Sequence, residues 1–136
     1  MRVLAYDPFV KHSDVAILVP TLKELLRQAD YLSLHVPLND ETKGMINKAS
    51  LAEMKDGVVI VNTGRGKCIV EEDLAEALKS GKVAAYATDV WYSDPPDPSS
   101  PLLSAPNVVM TPHIGASSKE NLLRIGNEVV SLLEEW

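Results

Sequence analysis

Residues 57–66, Gly57-Val58-Val59-Ile60-Val61-Asn62-Thr63-Gly64-Arg65-Gly66, constrain the fold more than any other stretch. Four consecutive β-branched apolar residues, Val58 to Val61, spell a strand buried on both faces. Such a strand belongs in a parallel sheet covered by helices. The run ends in a polar loop whose glycines flank a single arginine. In open α/β sheets, ligands bind just beyond the carboxyl ends of the strands. Arg65 is a planar, permanently charged fork, and it stands where such a fold keeps its chemistry.

The rest of the chain alternates strand and helix signals. Arg2 to Tyr6 reads as a short strand closed by Asp7-Pro8, and a weaker one lies at Ile17 to Val19. Thr21-Leu22-Lys23-Glu24 has the form of a capping box, which starts a helix running from Leu22 to about Ala29. Tyr31 to Val36 is strand-like and Pro37 ends it. Asn47 caps a short helix through Met54. Val70 to Lys79 is amphipathic, and Gly81 suits its C-terminal cap. Ala84 to Thr88 and Val108 to Thr111 are further strands. Ser117 or Ser118 caps a last helix whose Leu122, Ile125, Val129, Leu132 and Leu133 follow helical spacing. This alternation predicts an α/β fold with a parallel sheet between layers of helices and right-handed crossovers. The proline-rich stretch from Asp94 to Pro101 must be a loop.

Composition narrows the function classes. The chain has 136 residues, 46% of them apolar and 24% charged, which suits one soluble domain. Net charge is −6 with no basic cluster, which argues against nucleic acid or an anionic membrane as partner. Cys68 is the single cysteine, so no disulfide forms within the chain. That fits a reducing cytoplasm, and with no evident base beside it Cys68 reads as structural. No signal peptide, membrane-length apolar run or metal-ligand cluster is read from the sequence.

Five strand ends carry groups capable of chemistry: Asp7, His35, Arg65, Asp89 and His113. Each alone has an ordinary explanation as a turn starter, buried histidine or loop residue. In a parallel sheet all five ends share one edge, and nothing local demands that coincidence. Gly64-Arg65-Gly66-Lys67-Cys68-Ile69 only superficially suits a dinucleotide loop. Ile69 stands where a third small residue would allow close packing of helix on strand.

Taken in order, these segments resemble the nucleotide-binding domain of the D-isomer-specific 2-hydroxyacid dehydrogenases. The matching pieces are Tyr6-Asp7-Pro8, Ala29 to Leu38, Thr42 to Asn47, Val61 to Gly66, Thr88 to Trp91 and Pro112-His113-Ile114-Gly115-Ala116-Ser117. The resemblance implies an NAD-dependent oxidoreductase acting on a small 2-hydroxy or 2-oxo acid. It implies cofactor contacts from Asp7, Pro8, His35, Val36, Pro37, Thr42, Thr63, Gly64, Arg65, Asp89, His113, Gly115 and Ala116. Asp7 would take the adenosine ribose, favouring NAD over NADP. Pro37 and Thr42 would line the adenine and pyrophosphate side, Thr63 and Gly64 would border the nicotinamide, and Asp89 would hold its carboxamide. Arg65 would bind the substrate carboxylate, and His113 would be the general acid or base. The family pairs that histidine with a glutamate. The matching residue here is Asp94, shorter by one carbon–carbon bond, so the backbone must come closer for the pair to form.

Against that family, the glycine fingerprint would precede the Asp7 strand, and no Gly-x-Gly-x-x-Gly occurs in this sequence. The expectation is a single, partial NAD-binding domain over 1–136, without the substrate-binding domain, inactive alone. Its alternatives are a non-catalytic module or a half-enzyme completed by a partner chain. Without the middle strand of a Rossmann sheet, the Asp7 and Tyr31 strands would face a gap. Buried unpaired edges are costly. The sequence therefore predicts that these two strands pair directly, giving a three-layer, flavodoxin-like order 2-1-3-4-5-6, with a homodimer covering the remaining apolar surface.

Overall fold

The structure, a computed structural model, describes residues 1–135. Its elements run β1 (Leu4–Ala5), β2 (Ile17–Leu18), α1 (Leu22–Gln28), β3 (Tyr31–Leu34), α2 (Lys48–Glu53), β4 (Val58–Asn62), α3 (Glu71–Ser80), β5 (Val83–Thr88), β6 (Val108–Met110) and α4 (Lys119–Glu134). Short 3-10 helices occupy Gly66–Cys68 and Pro101–Ser104. Every strand pairing is parallel.

Local chemistry sets the helix limits. Thr21 Oγ1 accepts the amide of Glu24 at 3.2 Å, which starts α1. Asn47 and Ser50 close a reciprocal capping box at the head of α2. The first turn of α3 holds Glu71, Glu72 and Asp73, negative charge facing the positive end of the helix dipole. Gly81 ends α3 with φ of 77°, a left-handed position that suits glycine. Lys23 and Arg27 of α1 both reach Glu53 of α2 at 2.8 Å, and these bonds hold its carboxyl below the usual range.

The core lies between the sheet β3-β4-β5-β6 and helices α1 to α3. Leu32, Leu34, Val58, Ile60 and Tyr86 point into it from the strands. Leu26, Leu51, Leu74 and Leu78 meet them from the helices. Burying a side chain of this size contributes about 2 kcal/mol each.

Three expectations need correction. β4 is not buried on both faces: Val58, Ile60 and Asn62 are buried while Val59 and Val61 are half-covered. The reason is that the helices cover one face. α4, apart from half-buried Asn121, leaves its side chains exposed, among them Leu122, Ile125 and Leu133, and so adds no packed layer. Among the described residues there are therefore two layers, not three. Third, β1 does not pair with β3. β1 pairs only with β2, in a separate two-stranded sheet, and the larger sheet begins at β3. The expected closure assumed buried edges. Instead β1 is half-buried, and β3 alternates exposed Tyr31 and Ser33 with buried Leu32 and Leu34.

Candidate active site

The parallel strands place the loops after β4, β5 and β6 side by side. The first, Thr63 to Gly66, is shaped by Asn62. This side chain is fully buried, an unusual place for an amide unless it is satisfied. Its Nδ2 donates to the carbonyl of Arg65 at 3.0 Å, and its Oδ1 accepts the amide of Gly64 at 3.1 Å. The Arg65 side chain folds back so that Nη1 donates to the Gly64 carbonyl at 2.7 Å. Asn62→Leu would leave the Gly64 amide unpartnered and the Arg65 carbonyl with only the Cys68 amide, at 3.2 Å, and should cost about 2 kcal/mol. Urea unfolding checks this, and a change below about 0.5 kcal/mol would contradict it.

The second loop, after β5, begins at Asp89. Its amide donates to the Asn62 carbonyl at 3.2 Å, tying it to the β4 end. The third loop, after β6, carries His113 with φ of 56°, a left-handed backbone that a non-glycine residue seldom adopts. Thr111 anchors its start: its amide donates to the Thr88 carbonyl at 2.9 Å, and its carbonyl accepts the Trp91 indole N–H at 3.2 Å.

The three loops enclose a cavity of about 230 Å³ lined by Arg65, Gly66, Lys67, Trp91, Tyr92, Asp94 and His113, with Leu38 and Val90. Here the sequence-derived catalytic candidates meet. His113 Nδ1 lies 3.2 Å from Asp94 Oδ2, so the shorter acid does reach the imidazole. Lys67, its Nζ 5.4 Å from the Tyr92 ring centre, adds a second cation to the rim. Lys67, Trp91 and Thr111 had no separate signal in the sequence, because their parts depend on contacts between loops.

The remaining candidates are spread along the same edge. Asp7, after β1, is exposed, and its Oδ1 accepts the amides of Phe9 at 2.8 Å and Val10 at 3.1 Å, leaving Oδ2 free of partners among the described residues. Pro8 follows it, also exposed. His35, after β3, is exposed rather than buried, with Nε2 2.8 Å from Ser33 Oγ. Val36 is half-buried and Pro37 exposed. Thr42 donates its one hydroxyl hydrogen to the Pro37 carbonyl at 2.6 Å, knotting that loop. Thr63 is exposed beside a buried Gly64, where a methyl group would sit 3.1 Å from the Val36 carbonyl oxygen. Gly115 and Ala116 follow His113, both exposed. Cys68 is fully buried, and burial pushes its thiol up, away from the thiolate form.

These positions suit the two ends of a dinucleotide. Asp7 offers a free carboxylate oxygen for a ribose, and the Thr63 to Gly66 and His113 to Ala116 loops flank an open edge for a flat ring. The described residues include no cluster of His, Cys, Asp and Glu that could hold a metal, and no helix long and apolar enough to cross a membrane.

Comparison with known proteins gives the same direction. Residues 1–115 match the family described as D-isomer specific 2-hydroxyacid dehydrogenase, NAD binding domain. The chain is 48% identical over 132 residues to a hydroxypyruvate reductase of Thermotoga maritima, covering 96% of this chain and 43% of that protein. It is 46% identical over 129 residues to a D-3-phosphoglycerate dehydrogenase of Archaeoglobus fulgidus, covering 93% of this chain and 24% of that protein. Its fold matches an NAD-dependent formate dehydrogenase from Staphylococcus aureus, solved with NAD. There the TM-score is 0.87 at 34% identity, over 98% of this chain and 40% of that one. The chain thus spans less than half the length of these relatives.

Proposed function

Because the chain belongs to the D-isomer specific 2-hydroxyacid dehydrogenase family, through that family's NAD-binding domain, we propose that Arg65, His113 and Asp94 are its share of a site interconverting 2-hydroxy and 2-oxo acids. The observation that carries this reading is their convergence on one cavity at the carboxyl edge of the sheet. NAD, when bound, supplies the hydride chemistry. Arg65 holds the substrate carboxylate with its fork, which fixes the neighbouring carbonyl against the cofactor. His113 keeps Nδ1 toward Asp94, so Nε2 carries the proton that passes to the carbonyl oxygen as hydride arrives. In oxidation the same nitrogen accepts the proton. The Asp94 carboxylate orients the ring.

The two ends of the cofactor fall to Asp7 with Pro8 and to the loops of Thr63, Gly64, Asp89, Gly115 and Ala116. His35, Val36, Pro37 and Thr42 lie between them. The chain covers less than half of the relatives named above, so turnover belongs to this domain acting with a substrate-binding domain, in the same chain or another. The reading includes a homodimer, supported by the exposed apolar side chains of α4, and a cytoplasmic site, supported by the lone buried thiol.

Titrating the chain with NADH and following nicotinamide fluorescence tests the cofactor half. Saturable binding at or below millimolar cofactor is expected, and Asp7→Ala should weaken it about ten-fold through loss of charge-assisted hydrogen bonds. No fluorescence change at millimolar NADH would overturn the reading for this chain.

A further inference from the structure

The carboxylate of Asp89 is engaged before any ligand arrives. Its Oδ1 accepts the Thr111 hydroxyl at 2.6 Å and the Ile114 amide at 2.9 Å. Its Oδ2 accepts the Gly115 amide at 2.7 Å. All three donors belong to the turn that carries His113. That turn is otherwise exposed and contains the left-handed φ of His113, so its shape needs an outside support. The approach is close enough that a methyl group at Gly115 would lie 2.9 Å from Asp89 Oδ2.

We infer that Asp89 is a positioning residue: by clasping Thr111, Ile114 and Gly115 it sets the turn that presents His113 to the Arg65 cavity. Two carboxylates then divide the work on one histidine. Asp94 contacts the ring, while Asp89 holds the backbone that aims it. A carboxylate can accept about four hydrogen bonds, so one further donor on a bound ring can still be served. That His113 is the group worth aiming rests on the dehydrogenase reading above.

The bonds also tie the turn to pH. The Thr111 hydroxyl first, then the Ile114 amide and with it that of Gly115, hold the Asp89 carboxyl below its usual range. The charged group facing it is His113, whose positive form acts in the same direction. A lowered folded value means the clasp is fully present above about pH 4 and is lost as the pH falls through the folded value.

Amide hydrogen exchange and NMR of the chain decide this without turnover. In the parent chain the Ile114 and Gly115 amides should be protected above about pH 4, and should lose protection only as the pH falls through the lowered folded value. Asp89→Asn turns an amino group toward the Gly115 amide, so protection there should fall about ten-fold. The His113 ring signals should broaden or double as the turn samples other shapes. Thr111→Val removes one donor and no charge, and should give a smaller version of the same change. Thr111→Ser restores the hydroxyl and should restore the parent spectrum. Unchanged Gly115 protection and His113 signals in Asp89→Asn would overturn the inference. If that variant does not fold, the Thr111 pair decides: equal spectra for the valine and serine variants overturn it. If the expected NMR changes appear but the parent chain binds no NADH, the dehydrogenase reading fails and this one stands; if the parent chain binds NADH but Asp89→Asn keeps the parent spectrum, this one fails and the dehydrogenase reading stands.

Discussion

Gly66→Ala should lower the stability of the chain by about 3 kcal/mol, a fall of roughly 10 °C in thermal midpoint for a domain of this size. A β-carbon there would lie 2.0 Å from the Trp91 carbonyl oxygen, 2.1 Å from its carbon and 2.6 Å from the Tyr92 nitrogen. All three are backbone atoms, so no flexible side chain can swing aside. The backbone of Gly66 is not left-handed, so steric room is the whole requirement. Relief must come by moving the Arg65 loop or the Trp91 to Asp94 loop. Either movement pulls apart the walls of the cavity between them. Thermal denaturation followed by circular dichroism measures the effect, and a midpoint within about two degrees of the parent would contradict it.

His113→Gln should act on turnover instead of stability. In a preparation that turns over, loss of a general acid costs about 10²- to 10⁴-fold in kcat, with the NADH affinity little changed. The pair His113–Asp94 is half exposed to water, with side-chain exposures of 50% and 67%. An ion pair so solvated contributes about 1 kcal/mol or less to folding. Unfolding of the glutamine variant should therefore follow the parent closely. Steady-state kinetics beside urea denaturation separates the two effects. Parent-like kcat would remove His113 from the chemistry.

Where the sequence spoke clearly, the signal was local. Asn47 was legible as a cap because its side chain reaches amides only two and three residues on, those of Ala49 and Ser50. Gly81 was legible because a helix end needs a left-handed residue. The order of strand ends was legible too, since parallel strands must put Arg65, Asp89 and His113 on one edge. The layering was not. The spacing of Leu122, Ile125 and Val129 states that α4 has an apolar face, but not what meets it. Nor was the pairing of β1. Which strands pair across a gap is a property of the whole fold, and β1 takes β2 alone. Asp94 is the converse case. Its short side chain left contact with His113 unsettled until the two loops were seen together. The clasp of Asp89 on Gly115 spans 26 residues and has no sequence pattern.

The separation of the two sheets also bears on how such a protein can change over generations. Among the described residues the Asp7 side chain accepts from the amides of Phe9 and Val10 alone, at the end of a small sheet that shares no strand with the one carrying Arg65 and His113. On the reading above, nucleotide preference and acid chemistry are therefore modular traits. Mutation can try new ribose partners at the end of β1 while the loops beyond β4, β5 and β6 stay under selection as they are.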